Sequence, residues 1–142
     1  MKKLFCLIIV LLLVPLVSFA EDPDPSIVGK WSFYFDISKQ SQSVQAVMDY
    51  SLMVYDLYLF ENGSAHLTSM TVKKKSSSPD FSYGALSGVW LGNADNFVVG
   101  ISGSSYRACI KDDCLLLYMS ETLPLAFVKV DCSDKMMELI LK

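Results

Sequence analysis

A single histidine, His66, serves the whole 142-residue chain, and charged residues make up only 19% of it. Proton-transfer and metal chemistry draw on histidines and on clustered carboxylates, and no spacing in this sequence assembles either. The G-x-S-x-G, H-E-x-x-H and P-loop patterns are absent. Cys132 and His66 are the one nucleophile–base couple the chemistry allows, but nothing brings them together. Beside a tight turn, His66 reads as an ordinary exposed strand position. No enzyme, catalytic residue or cofactor is expected.

Lys+Arg 12 against Asp+Glu 15 gives no basic surface for phosphate, which argues against a nucleic-acid binder. A hydrophobic content of 52% excludes a disordered tail protein. Metal binding fares no better. Cys109 and Cys114 with one distant Cys and one His are not a zinc spacing. Asp112-Asp113 and the 93–96 segment match no calcium loop and read as turns. Asn62-Gly63-Ser64 fits a glycan acceptor, but a turn needs those residues anyway.

What the chain does have begins at its N-terminus. Met1-Lys2-Lys3 precedes an apolar run from Leu4 to Val14, broken by Pro15, and Ser18 and Ala20 suit a cleavage site. Residues 1–20 are expected to be a cleaved signal peptide, since a membrane anchor wants about 20 uninterrupted apolar residues. Cys6 lies too far from the cut to carry a lipid. Loss of Lys2 and Lys3 leaves 10 basic and 15 acidic residues, a net of −5. The product is expected outside the cytoplasm, extracellular or in a periplasm or cell envelope, without a transmembrane segment. Residues 21–26 are expected to be a flexible lead-in to one domain over 27–142.

Three cysteines remain after cleavage, an odd number. Loop closure favours a Cys109–Cys114 bridge by about 2 kcal/mol and a Cys109–Cys132 bridge by about 3.5 kcal/mol. Energy therefore does not choose. A hairpin connection over 110–113 would set Cys109 and Cys114 on neighbouring strands, which makes them the preferred disulfide candidate.

Beyond residue 28 the pattern is period two. Trp31, Phe33 and Phe35 alternate with Lys30, Ser32 and Tyr34, the signature of a half-buried strand. Further strands are expected over 52–61, 65–72, 83–91, 97–101, 106–110, 115–119 and 125–130, with Asn62-Gly63 marking the clearest hairpin. Residues 36–50 break the pattern. Val44, Val47 and Met48 recur at helical spacing there, so a short helix or covering loop is expected. Another short helix is expected near Met136 and Ile140. Eight short strands with turns every eight to twelve residues predict an all-β fold, an antiparallel meander closing into a barrel.

Both tryptophans lie in G-x-W, as Gly29-Lys30-Trp31 and Gly88-Val89-Trp90, with Phe60-Glu61-Asn62-Gly63 between them. This ordered set resembles the small secreted lipocalin-like domains of bacteria. The resemblance implies an eight-stranded barrel plugged at one end by Trp31, with a basic residue of the last strand, Lys129, packed on it. It also implies a small apolar ligand inside. Phe33, Tyr58, Phe60, Trp90, Tyr106 and Phe127 are the candidate ligand-binding residues, with Tyr58, Tyr106 and Tyr118 as polar handles.

Such a barrel is just wide enough to be filled by side chains or to hold one small ligand. Burying about 300 Å² of ligand gains roughly 7 kcal/mol, against association costs of at least ~4 kcal/mol. The competing expectation is a solid-core barrel that engages a protein or an envelope surface through loops 36–50 and 73–82. The lysines at 73–75 read there as a solvated patch. No partner protein is identified by the sequence.

Overall fold

The computed structural model describes residues 23–73 and 81–132. The expected signal peptide, the body of the 73–82 loop and the expected C-terminal helix lie outside the described residues. The strands are β1 (Gly29–Asp36), β2 (Tyr50–Leu59), β3 (Ser64–Lys73), β4 (Phe81–Asn93), β5 (Asn96–Ile101), β6 (Ser104–Lys111), β7 (Cys114–Tyr118) and β8 (Pro124–Val130). They form one closed barrel in sequence order, every neighbour antiparallel, with β8 returning to pair with β1. The expected all-β meander barrel is the fold observed.

The long connection after β1 holds a 3₁₀ turn, Ile37–Lys39, and one short helix, α1 (Gln42–Val47). Asp36 caps the turn, its carboxylate accepting from the Ser38 amide at 3.0 Å. Helix α1 buries none of its residues, so it adds no wall to the barrel.

Hairpin turns set the register. Both residues of Asp112-Asp113 and of Ser102-Gly103 have positive φ, as two-residue type I′ turns require. The 60–63 turn is different, because only Gly63 has positive φ (78°). Its amide donates to the Phe60 carbonyl at 3.0 Å. That is the longer hairpin loop with a left-handed glycine, not the two-residue turn that Asn-Gly suggests.

The short turn at Asp112-Asp113 also corrects the cysteine expectation. The ladder continues to Lys111↔Cys114, so Cys109 lies opposite Leu116 and not opposite Cys114. Cys109, Cys114 and Cys132 are all unbonded.

Alternation along each strand gives one face to the interior. Trp31, Leu57, Leu59, Ala65, Trp90, Phe97, Val99, Ala108, Leu115, Leu117 and Phe127 form a single buried cluster. They crowd the end of the barrel where β1 starts and β8 finishes.

Candidate functional site: the open half of the barrel

The two ends of the barrel differ in how they are covered. At the sealed end, each indole N–H is satisfied by a nearby carbonyl: Trp31 Nε1 donates to Ile27 at 2.8 Å, and Trp90 Nε1 to Phe60 at 2.9 Å. The Trp90 amide also donates to the Gly63 carbonyl at 2.8 Å, which fastens the 60–63 turn over the barrel. The lead-in segment closes the rest. Asp24 accepts from the Ala94 amide at 3.1 Å, and Ile27 is wholly buried. The segment before β1 thus contributes a hydrogen bond and a buried side chain to this end. Hydrogen bonds from the Ser26 hydroxyl, the Ser26 amide and the Ala94 amide hold the Asp24 carboxyl below its ordinary pKa.

The opposite end is less covered. Interior-facing Phe33, Tyr55, Leu67, Tyr106 and Leu125 are only partly buried, although all pack against the core cluster. Leu86, paired with Leu67 on the interior face, is 45% exposed. Strand lengths explain this. β4 has 13 residues and β5 has 6, so the β4–β5 ladder stops at Gly88↔Ile101. Residues 82–87 of β4 pair with β3 alone, and the wall steps down beside them.

Phe33 is the hub of this open half. Its ring lies 5.7 Å from Phe127, 5.9 Å from Tyr55 and 6.4 Å from Phe35, measured between centroids. Phe127, 1% exposed, forms a floor beneath it. Among the described residues the result is a partly buried aromatic cup at this end, with Tyr55 and Tyr106 contributing hydroxyl-bearing rings.

The six candidate ligand residues therefore separate. Phe33 and Tyr106 face the cup and Phe127 lies under it. Trp90 instead belongs to the sealed end, where it meets Phe97 edge-on at 6.2 Å. Tyr58 is not interior: Leu57 and Leu59 take the inner positions, and Tyr58 stands opposite Lys30 on the outer face. Phe60 lies beyond the end of β2 in the turn and is not part of the core cluster. Tyr118, opposite Arg107, also faces outward.

Tyr55, Leu67, Leu86 and Leu125 line the cup without having been singled out in the sequence. The usable signal was the register of β2 on β1, which pairs Phe33 with Tyr55. The 13 residues between those strands conceal it.

Charge stays outside. Lys30 Nζ lies 2.9 Å from Asp56 and 5.6 Å from the centre of the Tyr58 ring. Burial alone would depress the Lys30 pKa, but its hydrogen bond and attraction to Asp56 outweigh this and raise it. Burial raises the Tyr58 phenol. His66 sits beside Tyr58 with its Nδ1 3.2 Å from Ser87 Oγ. Among the described residues, no three His, Cys, Asp or Glu side chains gather where a metal ion could sit, and no helix is long and apolar enough to cross a membrane.

A closed eight-stranded antiparallel meander defines a small barrel protein. Comparison of the chain with protein-family models, curated proteins and solved structures finds no match.

Proposed function

We propose that this is an exported, non-catalytic barrel of the lipocalin-like kind, which carries a small apolar molecule in its open half. The supporting observation is the contrast between the two ends, the sealed one fully buried and the other presenting partly buried aromatic and leucine side chains inward. Partly exposed interior apolar surface gains about 25 cal/mol for each Å² that a ligand covers. Phe33 and Tyr55 supply ring faces, and Tyr106 adds a hydroxyl at the rim.

Export follows from residues 1–20, whose basic start, apolar run and small residues suit a cleaved signal. The resemblance to secreted domains of bacteria, carried by the two G-x-W motifs and the turn between them, agrees with that destination.

Native mass spectrometry of the exported, unrefolded protein tests the reading. The expected result is a reproducible added mass that leaves on denaturation. A bare mass in every preparation would overturn it and turn attention to partner capture through residues 36–50 and 73–82. Spectra taken with and without reductant also show whether the unpaired cysteines join two chains.

A further inference from the structure

Strand β4 leaves part of one edge unused. Its ladder with β3 runs from Val72↔Phe81 to Ser64↔Val89, whereas its ladder with β5 begins only at Gly88↔Ile101. The Trp90 amide donates to Gly63 on the β3 side, and backbone groups alternate in direction along a strand. Tyr83, Ala85 and Ser87 therefore turn their N–H and C=O groups away from β3. No backbone partner meets them there among the described residues.

This edge lacks the features that blunt free strands. Lysine, proline and bulges normally do so, but β4 contains no charged residue and no proline, and its register on β3 runs without a shift. Tyr83 is 71% exposed on the outer face and Leu86 45% exposed on the inner one, with the small Gly84 and Ala85 between them.

We infer that this edge pairs with the same edge of a second copy of the chain, antiparallel about a two-fold axis at Gly84, so that one sheet runs through both barrels. The inference does not depend on the carrier reading of the cup.

Symmetry and side-chain size favour a copy over a foreign strand. Gly84 is the middle residue of 81–87, so an axis there uses the whole free stretch and stops where the β5 ladder begins. Gly84 then meets its counterpart in a pair without hydrogen bonds, where Cα atoms approach to about 4.5 Å. Tyr83 of one copy and Ala85 of the other exchange N–H···O bonds. Large side chains face small ones, since Leu86 lies opposite Ser82 and Tyr83 opposite Ala85. The strand carries no charge, so like does not repel like across the new ladder.

Sedimentation velocity of the mature protein in reductant, over about 1–200 μM, is expected to show a monomer–dimer equilibrium. Ala85→Pro removes an outward N–H and no bond to β3, and is expected to weaken the dimer at least about tenfold. Leu91→Lys lies on the exposed outer face, where β5 already occupies the edge, and is expected to change nothing. Amide exchange followed by NMR needs no variant. As concentration rises, the Tyr83 and Ala85 amides are expected to slow, while those of Gly84 and Leu86, turned towards β3, stay as they were. A monomer throughout the range would overturn the inference. So would a dimer that persists in folded Ala85→Pro, or one that Leu91→Lys disperses, which would put the contact on the outer face around Val89 and Val98. If Ala85→Pro does not fold, the exchange measurement decides, and Tyr83 and Ala85 amides indifferent to concentration would overturn the inference alone.

Discussion

Lys129 Nζ lies 5.2 Å from the centre of the Trp31 ring and donates to the Ser26 carbonyl at 2.9 Å. One side chain from the last strand thereby joins the first strand and the lead-in segment at the seam where the barrel closes. The β1–β8 ladder is short, running from Lys30↔Val130 to Ser32↔Val128, so contacts across it carry weight. Lys129→Met keeps the aliphatic stem and is expected to cost about 1 kcal/mol, combining an exposed cation–π contact with one charged hydrogen bond. Lys129→Arg is expected to cost less than ~0.5 kcal/mol, because the charge over the ring remains. Urea unfolding measures both, and a silent Lys129→Met would show that the seam is held by β-ladder hydrogen bonds alone.

Gly88 gives a sharper test of the wall. A Cβ there would run into the carbonyl oxygen of Gly100, a backbone atom on the neighbouring strand, and would lie 3.0 Å from the Ile101 side chain. Neither strand can retreat without breaking the β4–β5 ladder, so Gly88→Ala is expected to cost at least ~3 kcal/mol, the upper range of overpacking. Gly84 is the control on the same strand. There the added Cβ would meet only Ser69 Oγ, at 2.8 Å, and a serine can rotate. Gly84→Ala is expected to cost less than ~1 kcal/mol. Thermal melts of the two variants should differ widely, and similar melts would mean that the β4–β5 seam is more compliant than its register suggests.

The strands could be read from the sequence because half-burial imposes period two on nearly every one of them. Which face pointed inward was harder to see. β2 carries large apolar residues on both faces from Leu52 through Leu59, and Asp56, two residues before Tyr58, is the single charge there that marks the outer face. Counting from β1 did not help, since the 37–49 connection hides the register. The Cys109–Cys114 pairing failed on a turn two residues shorter than supposed. The division into a sealed and an open half depends on how far each strand extends past its neighbour, and a short pattern along one strand does not contain that.

Acid should loosen the sealed end. The Asp24 carboxyl is held below its ordinary value by hydrogen bonds from Ser26 and Ala94, and Asp36 is lowered in the same direction, first by the Ser38 hydroxyl. A carboxyl whose pKa is depressed by folding stabilises the folded state above its unfolded pKa of about 3.9, and that contribution disappears as pH falls through the lower folded value. Asp24→Asn is therefore expected to melt below the wild type at pH ~6 and to converge with it near pH ~2. Melting curves at a series of pH values check this. A gap that stays constant down to the acid limit would show that Asp24 acts through shape and not through its charge.

Tyr106 decides whether the cup is occupied. Its ring is partly buried and faces inward, opposite Val99, near the start of β6. Tyr106→Trp puts a larger ring into the less buried half of the barrel. The expected stability change is less than ~1.5 kcal/mol, because the site is not close-packed. Binding of 1-decanol is expected to fall about tenfold, since the indole takes space the tail requires and each lost methylene contact is worth about 0.8 kcal/mol. Tyr58→Phe is the companion variant. Tyr58 stands on the outer face against Lys30, so removing its hydroxyl should leave that affinity untouched. If Tyr106→Trp binds the alcohol as well as the wild type does, the apolar molecule sits elsewhere. Weaker binding in Tyr58→Phe would then place it on the outer wall of β1 and β2.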